Sequence, residues 1–356
     1  MPERAGCRLP AEWEPQSGVM LTWPHANTDW APRLDDIYPV FAAIGSAIAV
    51  GELLLSVCRS AAHAATIRQW LLHSGAPADR LRFCIADSND TWARDHGPVT
   101  TLVDNTPLLN DFGFNGWGGK FDAELDTAIT GRLQSAGVFA DAEVRQRPLV
   151  LEGGALETDG LGTLLATRSS VVTPTRNPGH GTRDIEGLLG AWLGIDRFLW
   201  LDHGDLSGDD TDGHIDTLAR FVDPQTIVYT TAPPGDPDHG ELEAMAEQLH
   251  GLRDRAGNPY RLLPLPFPGV HRASDGRRLP ATYANFLIVN HAVLLPIYHV
   301  DQDELAIDVL KAVFPDRRIV PVDCRAIIEQ NGSLHCLTMQ LPAPLALRSS
   351  QEFIAA

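Results

Sequence analysis

Apolar residues along this chain fall into short runs broken by polar turns. Four stretches share one design: "VTTLVDNTPLLND", "GALETDGLGTLLAT", "TLARFVDPQTIVYTT" and "NFLIVNHAVLLPIY". Each sets Asn, Asp, Gly or Pro between two β-forming runs, which predicts a β-hairpin. The hairpin centres lie near residues 104, 160, 223 and 290. A recurrence of about 60 residues marks an internal repeat. Between the hairpins, apolar positions recur at helical spacing in "RLDDIYPVFAAIGSAIA", "AAHAATIRQWLLHSG", "LDTAITGRLQSAG", "TRDIEGLLGAWLG", "DHGELEAMAEQLHGLRDRAG" and "DELAIDVLKAVF". Several of these end at Gly, which takes a left-handed C-cap without strain. With the strand "GVMLTWP" opening a further unit, about five mixed β/α units fill the chain. This predicts one repeat-built α/β domain over residues 1–356 in place of two unrelated domains; an irregular α+β chain is the alternative.

The most apolar stretch, "PVFAAIGSAIAVGELLLSVC", is broken by Gly51 and Glu52. It predicts a helix of about 14 residues followed by a buried strand, and no membrane span. Charge narrows the partners. With 28 basic against 46 acidic residues the formal charge is −18, which disfavours nucleic acid and anionic membrane and suits cationic or neutral small molecules. The five cysteines, Cys7, Cys58, Cys84, Cys324 and Cys336, show no regular spacing and no CxxC pair. Neither a disulfide framework nor a thiolate zinc site is indicated, and a reducing compartment fits. Glu3, Glu12 and Glu14 stand near the N-terminus with two prolines and no apolar block, so a cytoplasmic location without a secretory signal is expected.

Four polar clusters lie at hairpin edges, where loops on a rigid scaffold carry chemistry: "NDTWARDHGP" (89–98), "LEGG" (151–154), "DDTDGHID" (209–216) and "NGSLHC" (331–336). The first sets Trp92, Arg94 and Asp95 before a Gly-Pro turn, though an ordinary turn with an exposed Arg/Asp pair has the same composition. In the second, Glu152 stands beside two glycines that allow close approach of the backbone; a solvated strand-end glutamate reads the same way. The third cluster fails as an EF-hand. With Gly213 at the sixth loop position, Gly208 and Ala219 occupy the first and last ligand positions. His203 with Asp205, and His214 with Asp216, invite a metal reading, but further ligands at recognisable spacing are missing. His214 and Asp216, two apart at the start of an apolar strand, are expected to share one face. Cys336 alone is most simply a small core residue. Its place at a loop-to-strand edge is where a thiol can meet substrate.

Together a Cys, a His, two Asp and a Glu at separate loop edges fit one chemistry. Two carboxylates can grip a planar guanidinium bidentately while its carbon faces a thiolate. The thiolate attacks, His214 protonates the departing ammonia, and water activated by the same histidine hydrolyses the covalent thiouronium. No metal or cofactor is needed.

The ordered set "PAEWEPQSGVMLTWPH", "NDTWARDHGP", "FGFNGWGGKFD", "LEGG", "TDGHID" and the late "HC" resembles the agmatine deiminase family, which includes the bacterial peptidylarginine-deiminase-like proteins. The resemblance spans about residues 9 to 342. It implies a pentein-type α/β propeller, with five ββαβ-like units around a pseudo-fivefold axis. It also implies Cys336 as nucleophile, His214 as general acid/base, Asp95 and Asp216 as guanidinium-binding carboxylates, and Glu152 as the acid that orients the histidine. Trp92 and Trp117 would line the channel. The implied reaction converts agmatine and water to N-carbamoylputrescine and ammonia, a step toward putrescine. Deimination of arginine or peptidyl-arginine is the alternative within the same chemistry, and a non-catalytic binder of cationic amines the alternative from another class. Relatives carry Gly-Gly-Gly-Asn where Gln330, Asn331, Gly332 and Ser333 stand here, which bears on loop mobility and tail recognition. The residues that meet the substrate's distal amine are not legible in the sequence, Asp202 and Asp205 being only acidic neighbours in the same loop region, and a homo-oligomer stays open because no interface shows in the sequence.

Overall fold

The structure, a computed structural model, describes residues 6–350; Glu3 of the N-terminal segment lies outside them. All four expected hairpins form: Val99–Val103 with Thr106–Gly113, Glu157–Thr158 with Thr163–Thr167, Ala219–Asp223 with Thr226–Tyr229, and Leu287–Ile288 with Ala292–Ile297. Each is followed by a helix and then by a strand parallel to the hairpin's second strand. The helices are Ile129–Ser135, Thr182–Leu193, His239–Gly251 and Gln302–Val313. The parallel strands are Glu143–Val150, Arg197–Leu201, Arg261–Pro264 and Arg318–Asp323.

A fifth sheet repeats this order with a hairpin made from the two ends of the chain. Thr338–Pro342 runs antiparallel to Gln16–Thr22, the helix Leu34–Ala49 follows, and Leu53–Cys58 pairs parallel. A further parallel strand, Leu81–Ile85, extends this sheet after the helix Ala61–His73. Each strand of that hairpin announces itself locally, but their pairing does not, because the partner strand comes from the C-terminal segment. The sheets are open, and the chain is mixed α/β.

The helix Leu34–Ala49 shows why these stretches fold as they do. Ile37, Phe41, Ile44 and Ile48 recur on one face and are buried with Leu21, Trp23 and Leu54 in the largest apolar cluster. The Gly51–Glu52 break then ends the helical run before Leu53–Cys58, and among the described residues no helix is long and apolar enough to cross a membrane. Two expected helices are shorter than their patterns, and "LDTAITGRLQSAG" is helical only over Ile129–Ser135. "DHGELEAMAEQLHGLRDRAG" stays helical only to Gly251, and Leu252 is extended. The reason is local: Asp254 Oδ1 accepts the backbone N–H groups of Ala256 and Asn258 at 2.9 and 2.7 Å, building a turn that competes with the helix.

Where the repeats meet, a buried guanidinium joins them. Arg220 donates to Glu157 at 2.7 Å, to Glu12 at 3.0 Å, and to the carbonyls of Ala284 and Phe286 at 3.1 and 2.7 Å. Its guanidinium also lies over the Phe286 ring, 4.6 Å from the centroid. Arg220 is fully buried, so removing its charge takes the cation from Glu157 and one of the cations from Glu12 in a low-dielectric interior. Arg220→Met is expected to lower the stability by about 3–5 kcal/mol, read as a fall in the urea midpoint. A loss below about 1 kcal/mol counts against this role.

Candidate active site

Each of the five sheets is entered through a loop, and each loop delivers a polar side chain just before the hairpin's first strand. Asp95 precedes Val99, Glu152 precedes Glu157, His214 and Asp216 precede Ala219, Asn285 precedes Leu287, and Cys336 precedes Thr338. All but Asn285 were expected from sequence. His214 and Asp216 meet by a different route than strand alternation. His214 is extended, and Ile215–Thr217 forms a 3-10 turn before the strand begins. A tight turn, and not the pleat, brings the two together.

The nucleophile candidate is tightly surrounded. Cys336 Sγ lies 3.7 Å from Asp216 Oδ2, and Asn285 Nδ2 donates to the sulfur at 3.3 Å. The Cys336 backbone N–H donates to Asn285 Oδ1 at 3.3 Å. Asp95 Oδ2 accepts the indole N–H of Trp117, and its Oδ1 the backbone N–H of Gly154, both at 3.0 Å. His214 stands between carboxylates, with Nδ1 3.6 Å from Asp95 and Nε2 3.7 Å from Glu152. Neither of its nitrogens forms a hydrogen bond, and neither does Asp216 Oδ1, although all three are buried. The second glycine of "LEGG" is required by this crowding: a Cβ on Gly154 would stand 2.6 Å from His214 Nδ1 and 2.8 Å from Asp95 Oδ1.

Charge sets the protonation of the group. Burial works against a charged His214, but Asp95, Glu152 and Asp216 outweigh it and raise the imidazole to about 9. Burial, with Asp216 and Asp95 adding to it, pushes the Cys336 thiol well up. Burial also raises Asp95 to about 6, helped by Asp216 and Glu152 and opposed by His214 and Trp117. Asp216 differs: burial would raise it, yet the His335 bond and charge hold it below the ordinary carboxylate value. Without a ligand the site therefore holds an imidazolium and a protonated thiol at neutral pH.

Above the thiol opens a pocket of about 180 Å³ whose walls include Trp92, Trp117, Asp90, Asp210 and Asn331. Both tryptophans line the cavity. Trp117 adopts a left-handed backbone, φ 55°, which swings its indole onto Asp95. The Gln330–Ser333 departure does not leave a bare loop. Asn331, at φ 65°, accepts from Arg277 and donates to Asp210 at 2.9 Å. Gly332 lies against the Trp92 ring, where a Cβ would approach within 2.1 Å. Asp202 and Asp205 do not line this pocket. Asp202 pairs with Arg168 at 2.9 Å, and His203 with Glu241 at 3.1 Å, both on the surface. Among the described residues no group of three or more His, Cys, Asp or Glu could hold a metal ion.

The model of the Porphyromonas-type peptidyl-arginine deiminase family matches residues 8–342. The chain belongs to that family. The agmatine deiminase of Stutzerimonas stutzeri (strain A1501) is 34% identical to it over 96% of this chain and 97% of its own. A crystal structure of a candidate arginine deiminase from Porphyromonas gingivalis superposes with a TM-score of 0.89 at 47% identity, covering 96% of this chain and 99% of that one. A cysteine-to-serine variant of the C. jejuni agmatine deiminase, solved with substrate bound, gives 0.87 at 31% identity over 95% and 97%. The mixed α/β fold is thus shared with these solved structures.

Three residues of this family member escaped the sequence. Asn285 had a signal, since its hairpin was the one repeat without an assigned polar residue at its entrance. His335 had a weak one, its place beside Cys336; it bridges Asp216 and Glu12 with 2.7 Å bonds to each. Arg176 had none. It binds both oxygens of Glu152 at 2.9 Å and Asp212 at 2.6 Å, tying "LEGG" to the "TDGHID" loop.

The His214 shift predicts a pH dependence. Its folded value of about 9 lies above the ordinary 6.5, so its contribution to stability is complete below about pH 6.5 and is lost as pH rises through about 9. The melting-temperature gap between the unsubstituted protein and His214→Gln should be wider at about pH 6 than at about pH 9.5. A gap that stays constant or widens with pH would contradict the assignment.

Proposed function

We propose that this protein is an agmatine deiminase, hydrolysing agmatine to N-carbamoylputrescine and ammonia through a covalent intermediate on Cys336. The observation that carries the proposal is the incomplete charge balance around the thiol. Asp216 Oδ1 is buried without a donor beside Cys336, and Asp95 stands on the same pocket. A guanidinium supplies the N–H donor that Asp216 Oδ1 lacks and a positive charge for both carboxylates. Family membership and the agmatine deiminases among the relatives support the same chemistry.

In this mechanism the substrate cation activates its own nucleophile. Once burial is set aside, Asp216 and Asp95 are the groups that keep the thiol protonated, and a guanidinium between them offsets their charge. The thiol then loses its proton to solvent water and the thiolate forms the S–C bond. His214 gives its proton to the departing ammonia as the C–N bond breaks, leaving the thiouronium. Water then enters at carbon, His214 takes its proton, and the S–C bond breaks to release the ureido product. Glu152, held by Arg176, orients the histidine, and Asn285 seats the sulfur. The repeated hairpin, helix and strand order supports a single domain of five units about a pseudo-fivefold axis. The reaction would run in the cytoplasm on a small guanidinium substrate, in putrescine biosynthesis.

One observation favours the second reading, a deiminase of arginine or peptidyl-arginine: Arg277 lies on the pocket, where a carboxylate could meet it. It is already engaged by Asn331 and the Glu329 carbonyl, and Asp29, Asp90, Asp209, Asp210 and Glu329 make the remaining charged rim acidic. Agmatine, with no carboxylate, suits that rim better.

Ammonia and ureido product should appear with agmatine and be at least about 100-fold scarcer with arginine or a C-terminal arginine peptide. If agmatine raises the melting temperature but yields no product, the protein is a binder of cationic amines. Cys336→Ala should cut turnover by at least about 1,000-fold, and retained turnover defeats the mechanism. At neutral pH, chloroacetamidine should label Cys336 at least about 10-fold faster than neutral chloroacetamide; equal rates would mean that the cation does not activate the thiol.

A further inference from the structure

Asp90 stands on the wall of the pocket, and no cation of the protein answers its charge. Its Oδ1 accepts the Trp30 indole N–H at 3.0 Å and the Thr91 backbone N–H at 2.9 Å, and its Oδ2 accepts the Trp92 indole N–H at 3.0 Å. Among the described residues no arginine, lysine or histidine forms an ion pair with it. Burial, with the Asp29 charge adding to it against the pull of the indoles, pushes its carboxyl up to about 7. The other pocket acids are occupied or wet. Asp210 accepts from Asn331 at 2.9 Å, and Asp209 accepts from the Thr211 hydroxyl and the Gly213 N–H, each at 2.7 Å. Glu329 lies 3.5 Å from Arg33, and Asp29 is exposed.

The segment from Asp90 to Asp95 presents a carboxylate, an indole and a second carboxylate to one cavity. Both carboxylates are aimed by indole N–H donors, Asp90 by Trp30 and Trp92 and Asp95 by Trp117. Fixed neutral donors hold such a group in place without neutralising it, so its charge stays available to a ligand. A ligand with an ammonium, an aliphatic spacer and a guanidinium matches that order of groups.

We infer that Asp90 is the specificity residue for the far end of the substrate, pairing with the distal ammonium while the spacer runs along the Trp92 ring. The inference rests on the amidine-hydrolase reading of the pocket and names the feature that selects agmatine over arginine. An α-carboxylate brought to the same end would meet Asp90 as a like charge.

The test compares agmatine with butylguanidine, which has the same guanidine and chain length without the ammonium. Binding is measured by calorimetry in the Cys336→Ala protein. Agmatine should bind more tightly, and Asp90→Asn should shrink the affinity ratio about 10- to 100-fold. Asp29→Asn, which removes a charge from the same rim, should leave the ratio within about twofold. An equal loss for both ligands would reduce Asp90 to a support for Trp92 and overturn the inference, as would an equal effect of Asp29→Asn. A ligand-side measurement needs no substitution at Asp90: 4-guanidinobutanoate should bind more weakly than butylguanidine, and binding as tight as that of agmatine overturns the inference. If the ratio behaves as expected while the unsubstituted protein forms no product from agmatine, the hydrolase reading fails and the ammonium site stands.

Discussion

A single buried carboxylate, Glu12, holds together parts of the chain that are otherwise far apart. It accepts from Arg220 at 3.0 Å, from His335 at 2.7 Å and from the Ile288 backbone at 2.7 Å. Burial opposes its charge, but His335, Arg220 and Arg94 hold it well below the ordinary carboxylate range. An anion in a low-dielectric interior is tolerable only when every partner is present. The segment before the first strand, the third and fourth hairpins and the nucleophile loop must therefore be in register together. His335 passes this constraint on to Asp216 at 2.7 Å, next to the sulfur. The site inherits its precision from the charge network beneath it.

The pocket itself is left electrostatically unfinished. Asp95, Glu152 and Asp216 surround one imidazolium, one acceptor of Asp216 is unmet, and the thiol stays protonated. Carboxylates held this close cost stability that a cation restores, so binding energy is available at the reacting centre. The overall charge of −18 raises the local concentration of such a cation before it arrives. In the proposed mechanism, selection of a cationic amidine and activation of the sulfur are one event.

How much of this the sequence discloses depends on whether a feature has a local cause. The four complete hairpins were legible because alternation and turn residues act within a few positions. The helix beginning at His239 was overextended because the Asp254 turn competes with helical pattern, a contest decided by side-chain bonds to the backbone. The pair His214 and Asp216 does meet in the site, but by a different geometry, since a 3-10 turn stands where a strand was expected. The distal end of the pocket had no local signal: Asp202 and Asp205 do not line it, while Asp90 and Asp210 do.

By itself the sequence determined the repeated hairpin, helix and strand order, the polar loop at each repeat's edge, and the residue types that make a thiol, an imidazole and two carboxylates into amidine chemistry. Periodicity and turn chemistry act between neighbours, so they are written locally. Only the tertiary structure decided that Thr338–Pro342 completes the sheet begun by Gln16–Thr22, that Asn285 and His335 hold the sulfur and its carboxylate, and that Arg176 holds Glu152. It also decided the protonation of the site, because burial and the distances between charges from different loops exist only once the chain has closed around them.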